Sequence, residues 1–179
     1  MPAKFSKLLV IDASVARGAG KETSTATTAK ICQDFLKAVR ELRYRIVMTP
    51  DIKEEWDKHA SSYAVLWRSS MLDRSLLEYL PDVPKNNELN EVCKRLADND
   101  GHYKAMAKDF RLIEAALVAD KIIVSPDKKA RRSFSRAAQE LEAIADIVWV
   151  NPNVEEEQSI VWLENGAEPE KERCLGFSE

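Results

Sequence analysis

A three-layer α/β/α fold around a central, mainly parallel sheet is the architecture this sequence predicts, on three observations. Short apolar runs without polar alternation, Leu8-Leu9-Val10-Ile11 and Ile122-Ile123-Val124, read as strands buried on both faces, as in parallel sheets covered by helices. Amphipathic helical stretches alternate with such runs, as repeated β-α units do. At 179 residues the chain is long enough for one well-buried core and somewhat long for a minimal three-layer domain.

Taken in order, the first strand is expected over residues 7–11, followed by a loop rich in Gly, Ala and Thr and a helix over about 25–41. The second strand covers 45–48. Thr49-Pro50 opens the next helix, with Thr49 as N-cap and Pro50 in the first turn, and Ile52, Trp56, Ala60 and Tyr63 form its apolar stripe. Helical character continues over 61–74. A loop at 82–87 leads to a short helix over 89–98, and Asn99-Asp100-Gly101 marks a turn. The helix over 109–117 turns Leu112, Ile113, Ala116 and Leu117 inward. A third strand (121–124), a helix (128–144) and a fourth strand (147–150) complete the domain, with right-handed crossovers expected.

Residues 1–150 are thus expected to form the domain, with a helical middle segment at about 61–108, and 151–179 an acidic extension. The extension holds eight Glu against Lys171 and Arg173, a local balance of −6. The whole chain carries −3, so residues 1–150 carry +3. A solvated helix over 154–163 with a loose end is the expectation for the tail; shielding of the basic surface, or docking of a partner through Ile160, Val161 and Leu163, is the alternative. A mildly basic body suits a polyanionic substrate. No apolar stretch approaches a membrane span, and Met1-Pro2-Ala3-Lys4 does not begin a signal peptide. Cys32, Cys93 and Cys174 are odd in number and lack any C-x-x-C pair, which favours a reducing compartment, the cytoplasm. His59 and His102 alone do not support a His-rich metal site or a Ser-His-Asp triad.

Carboxylates carry the functional signal. Asp12 directly follows the first strand and Asp127 closes the run after the third, where open α/β sheets place ligands. Glu55 falls at the edge of the apolar stripe of its helix, and Asp109 lies in register with an inward face. Each has an ordinary reading as a turn residue, helix cap or ion-pair partner. Four acids with one convergent disposition point instead to a shared site. Two carboxylates about 5 Å apart repel by about 3 kcal/mol at an effective dielectric of about 20, so the group calls for cations. Hard oxygen ligands suit Mg²⁺ or Mn²⁺. Ser14 and Ser125 are expected to orient the carboxylates, and Glu114 is an additional acid ranked below Asp109 because the helical wheel turns it away from the inward stripe. Arg17, Lys21, Arg131 and Arg132 are candidate phosphate contacts. Trp67, Tyr63 and Tyr103 are candidate base-stacking residues, with core packing the more ordinary role for aromatics at helical spacing.

The ordered set Val10-Ile11-Asp12-Ala13-Ser14, Thr49-Pro50-Asp51-Ile52-Lys53-Glu54-Glu55, Asp109 through Leu117, and Ser125-Pro126-Asp127 resembles the PIN-domain nucleases. The resemblance covers about residues 6–150; the middle segment is longer than in the compact toxin members. It implies a PIN-like, Rossmann-like fold and a metal-dependent ribonuclease in which Asp12, Glu55, Asp109 and Asp127 hold Mg²⁺ or Mn²⁺. The implied reaction is endonucleolytic cleavage of single-stranded RNA to a 5′-phosphate and a 3′-hydroxyl. An antitoxin-like protein and a second copy of the chain are the implied protein partners, and a non-catalytic PIN-like module binding RNA or protein is the alternative. Two other readings fit less well. A haloacid-dehalogenase-type phosphotransferase needs a second Asp at position 14, which is Ser, and a receiver domain needs an acidic pair where Ile11-Asp12-Ala13 supplies one acid. Arg17-Gly18-Ala19-Gly20-Lys21 is not a Walker A loop, since Glu22 follows the lysine and Val15 stands where the first glycine belongs.

Overall fold

A computed structural model describes residues 7–21, 23 and 26–177. Five strands build an entirely parallel sheet: β1 (Leu8–Ile11), β2 (Arg45–Met48), β3 (Leu77–Tyr79), β4 (Ile122–Val124) and β5 (Val148–Val150), in the order β3-β2-β1-β4-β5. Leu9, Val10, Ile46, Ile123, Val124 and Val150 are fully buried, as the uninterrupted apolar runs require. The helices are α1 (Ala13–Gly18), α2 (Thr27–Glu41), α3 (Pro50–His59), α4 (Ser62–Asp73), α5 (Asn87–Leu96), α6 (Asp100–Lys108), α7 (Phe110–Leu117), α8 (Lys128–Ala138) and α9 (Ser159–Glu164). One set, α1, α2, α4 and α9, packs together; α5, α6, α7 and α8 form another, and together with the sheet they make the three-layer α/β/α, Rossmann-like arrangement.

The strand order decides where a ligand belongs. From β1 the chain builds outward through β2 and β3, then returns to place β4 on the other side of β1. The reversal falls between β1 and β4, whose register pairs Val10 with Ile123 and Ile11 with Val124. A crevice outside the carboxyl ends of the strands at such a reversal is the standard ligand position of open α/β sheets. Asp12 follows β1 there, its N–H donating to Val124 O (2.9 Å), and Ser125 and Asp127 follow β4.

Two tryptophans anchor this edge. The Trp56 indole N–H donates to Ile11 O (2.9 Å), which ties α3, and with it Glu55, to the end of β1. Trp149 on β5 donates to Ser125 O (3.1 Å). Trp67 is 2 % exposed, stacks on Trp56 at 6.1 Å between ring centroids and donates to Leu36 O. It is core and not a base-stacking platform. Tyr103 packs edge-on against Phe110 and donates to Asn90, so it too serves packing.

Four local expectations are corrected. Residues 13–18, read as loop, form α1. Asn99 is an N-cap, accepting from His102 N–H (2.8 Å), so the turn at 99–101 is the start of helix α6. β3 adds a fifth strand, three residues long and partly exposed at the sheet edge, too short to carry a hydropathy signal. The helix expected over 128–144 ends at Ala138, with a separate 3-10 turn at Glu142–Ile144. The predicted start of α2 at residue 25 lies outside the described residues.

The acidic extension is not a solvated tail. Trp162, Leu163, Ala167 and Leu175 are buried, Tyr44 donates its hydroxyl to Leu163 O (2.5 Å), and Cys174 bridges to Val148 of β5. Among the described residues no helix is long and apolar enough to cross a membrane.

Candidate functional site

Asp12 occupies the first position after β1, where the chain turns into α1. Ser14 Oγ (2.7 Å) and Ser125 Oγ (2.8 Å) both donate to its Oδ2. Ser125 is fully buried, and its Oγ also accepts from Asp127 N–H (3.1 Å). The serines that the sequence singled out therefore link the β1 and β4 termini: Asp127 N–H to Ser125, Ser125 to Asp12. Asp127 caps α8 as well, its Oδ1 accepting from Ala130 N–H (2.9 Å), so the ordinary helix-cap role and membership of the acidic group coexist.

Glu55 and Asp109 meet through a cation. Asp109 sits at the break between α6 and α7, where its backbone (φ −99°, ψ 2°) interrupts the helix and its side chain makes no capping hydrogen bond. Arg111 Nη2 lies 3.8 Å from Glu55 Oε2 and 3.9 Å from Asp109 Oδ1. His59 Nε2 is 3.5 Å from the same Glu55 oxygen, one helical turn on. The carboxyl of Asp109 is pushed up to about 7, above all by burial and then by the Asp12 charge; Asp127 and Glu55 add to the rise and Arg111 opposes it. The three other acids chosen from the sequence thus all bear on Asp109.

Arg111 is the residue that sequence reasoning missed. A search for convergent acids does not register a cation, although an Arg two residues from an inward Asp was a usable signal. Arg111 also lines a cleft of about 360 Å³ together with Thr49, Asp51, Lys85 and Glu114.

Glu114 lies outside the acid group. It is 5 % exposed, its Oε2 accepts from Asn86 N–H (2.6 Å), and Lys85 Nζ stands 3.8 Å from Oε1. Instead of orienting a site carboxylate, it pins the loop before α5 to α7, and that loop buries a helix face which the wheel had turned away from the core. A hydrogen bond to a buried charged group contributes about 1.5–3 kcal/mol. Glu114→Ala is therefore expected to lower stability by about 2 kcal/mol and to raise amide exchange over residues 81–90, while Glu114→Gln, which keeps an acceptor, loses less. Unchanged stability and exchange in Glu114→Ala would contradict the anchoring role.

The candidate phosphate contacts separate. Arg131 is ion-paired with Glu157 of the extension (2.8 Å). Arg132, about 100° further round the helix, is exposed and lines a cleft with Asp109 and Asp127. Arg17 and Lys21 are exposed on and after α1. Arg131 lines a separate cleft with Asp127, so both α8 arginines border an acid of the group while Arg132 alone shares a cleft with Asp109.

Among the described residues, no three or more His, Cys, Asp or Glu side chains are gathered closely enough to enclose a metal ion by themselves. The donor chemistry nevertheless fits a hard cation that keeps part of its water shell, since Mg²⁺ commonly takes one or two protein carboxylates and completes its octahedron with water and substrate oxygens. A carboxyl raised by burial first and by acidic neighbours second, with an arginine standing between it and Glu55, marks an environment in which added positive charge is favourable. No family model matches the chain, and neither a curated protein nor a solved structure does.

Proposed function

We propose that this protein is a metal-dependent endoribonuclease that hydrolyses phosphodiester bonds of single-stranded RNA at the site formed by Asp12, Glu55, Asp109 and Asp127. The observation that carries the reading is geometric: Asp12 and Asp127 follow the strands at the reversal point of a parallel sheet and are linked through Ser125, Arg111 stands between Glu55 and Asp109, and the charges of Asp12, Asp127 and Glu55 all bear on Asp109. The ordered sequence resemblance to PIN-domain nucleases supplies the reaction class and the substrate, and extends to a toxin role with an antitoxin-like partner.

Asp12, Glu55, Asp109 and Asp127 would hold Mg²⁺ or Mn²⁺, in part through water. When bound, such an ion supplies charge that offsets the carboxylates and the phosphodiester, and it activates water for attack. The chain's own residues do the positioning. Ser14 and Ser125 bind the same oxygen of Asp12, which leaves its other oxygen for a ligand and fixes the plane of the carboxylate. Capping of α8 by Asp127 uses one oxygen in the same way. Arg111, held between Glu55 and Asp109, gives the site a positive group that a phosphate oxygen can share.

A second reading, a non-catalytic module that binds RNA or protein, is favoured by one observation: Arg111 already stands between two of the acids, 3.8 Å from Glu55 and 3.9 Å from Asp109. Incubation of the purified protein with single-stranded RNA separates the two. Cleavage in Mn²⁺ or Mg²⁺ that EDTA stops, leaving 5′-phosphate ends, is the expected result. RNA binding with no cleavage in either metal would favour the non-catalytic module.

A further inference from the structure

Helix α8 carries Lys129, Arg132, Ser133 and Arg136 at positions i, i+3, i+4 and i+7, one stripe of its surface. This stripe and His102 of α6 line a cleft of about 360 Å³, and the same cleft takes in Asp109 and Asp127. Two of its cations are uncommitted. Among the described residues neither Lys129 nor Arg132 makes a side-chain ion pair or hydrogen bond, and both are exposed. Neighbouring Arg131 shows the contrast, being neutralised by Glu157. Arg136 is loosely held, 3.9 Å from Asp98 and 3.4 Å from Leu96 O. Asp98, the other acid of the cleft, also stands 3.5 Å from His102.

The cleft also has an oriented neutral donor. With Nδ1 accepting from Asp98 N–H (3.0 Å), the neutral His102 ring carries its proton on Nε2, which lies 3.1 Å from Ser133 Oγ. His102 donates to Ser133, and the serine's own O–H has no acceptor among the described residues. A polarised hydroxyl beside unpaired cations suits phosphate and sugar oxygens. Along the helix axis Lys129, Arg132 and Arg136 are about 4.5 and 6 Å apart, a stride that follows a chain of phosphates better than it surrounds a single one.

We propose that the α6–α8 cleft seats the phosphodiester backbone of the RNA strand next to the bond to be cut, with Lys129 and Arg132 contacting phosphates and Ser133 donating a hydrogen bond. The assignment rests on the nuclease reading above and extends it from the reacting acids to the path of the strand.

Fluorescence anisotropy with a short labelled single-stranded RNA in EDTA tests it, because binding is read there without cleavage. Each phosphate contact on a single strand contributes about 0.7 to the slope of log affinity against log salt. The double variant Lys129→Ala/Arg132→Ala is expected to bind more weakly and to flatten that slope by about 1.4. Ser133→Ala is expected to weaken binding with the slope unchanged. Arg132→Lys, which keeps the charge, retains the slope, and Lys37→Ala on α2 behaves as wild type. If wild-type protein binds RNA and the double variant keeps both affinity and slope, the cleft assignment is overturned while the nuclease reading stands. Absence of RNA binding at low salt together with absence of cleavage in Mn²⁺ overturns both.

Discussion

Raising the pH from about 4 to about 8 is expected to destabilise the metal-free protein, and Asp109→Asn is expected to remove most of that loss. The Asp109 carboxyl is raised from 3.8 to about 7, by burial first and by neighbouring acids second. Its folded-state affinity for a proton therefore exceeds the unfolded one. Between these two values the folded protein holds the proton and the unfolded chain does not, so stability falls as pH rises through the window and levels off above about 7. A shift of this size corresponds to at most about 4 kcal/mol, because one pKa unit is about 1.4 kcal/mol. The side chain is 20 % exposed, so solvent screens only part of the effect. Asp109→Asn removes the ionisation and should flatten the profile, raising the melting temperature at pH 8 by several degrees on the scale of about 2–4 °C per kcal/mol for a chain of this size. A melting series across pH checks this. Parallel pH profiles for wild type and variant would contradict the burial and crowding of Asp109.

Asp12→Asn is expected to lower RNA cleavage by about 10³-fold or more, equivalent to about 4 kcal/mol of transition-state stabilisation, while the metal-free protein stays as stable as wild type or becomes more so. Both serine hydroxyls donate to Oδ2 of Asp12, and an amide oxygen can accept them in its place. The variant removes one negative charge from a group in which Asp12 is the acid that most strongly raises Asp109. Activity and stability are therefore expected to move in different directions, which a purely structural aspartate would not do. Severe loss of stability in Asp12→Asn would mean that the residue supports the fold instead of the chemistry.

The parts of the site legible in the sequence are those fixed by local pattern. An acid directly after a buried strand is placed by topology, so Asp12, Ser125 and Asp127 fall where the sheet reverses without any knowledge of packing. Glu55 follows from the Thr49 cap and the helical period, and the observed cap, Thr49 Oγ1 accepting from Ile52 N–H (3.2 Å), sets that phase. What escaped depends on contacts distant in sequence. Burial of Glu114 is produced by a loop 28 residues earlier, which a helical wheel cannot include. Arg131 and Arg132 diverge on the wheel, but only the fold shows that one meets Glu157 and the other the acid-lined cleft. In the extension, eight glutamates masked the apolar anchors Trp162 and Leu175, and Leu163, a candidate for docking a partner, is instead buried in this chain's own core. β3 is three residues of Leu-Glu-Tyr, held by pairing with β2 instead of by its own hydropathy.

The central claim is that four acids from four elements form one cation-holding site, and calorimetric titration of Mn²⁺ into wild type and Asp12→Asn tests it most directly. The expected result is saturable binding by the wild type that is lost or strongly weakened in the variant, although the variant remains folded. Failure of the wild type to bind Mn²⁺, or binding that Asp12→Asn leaves unchanged, would contradict it.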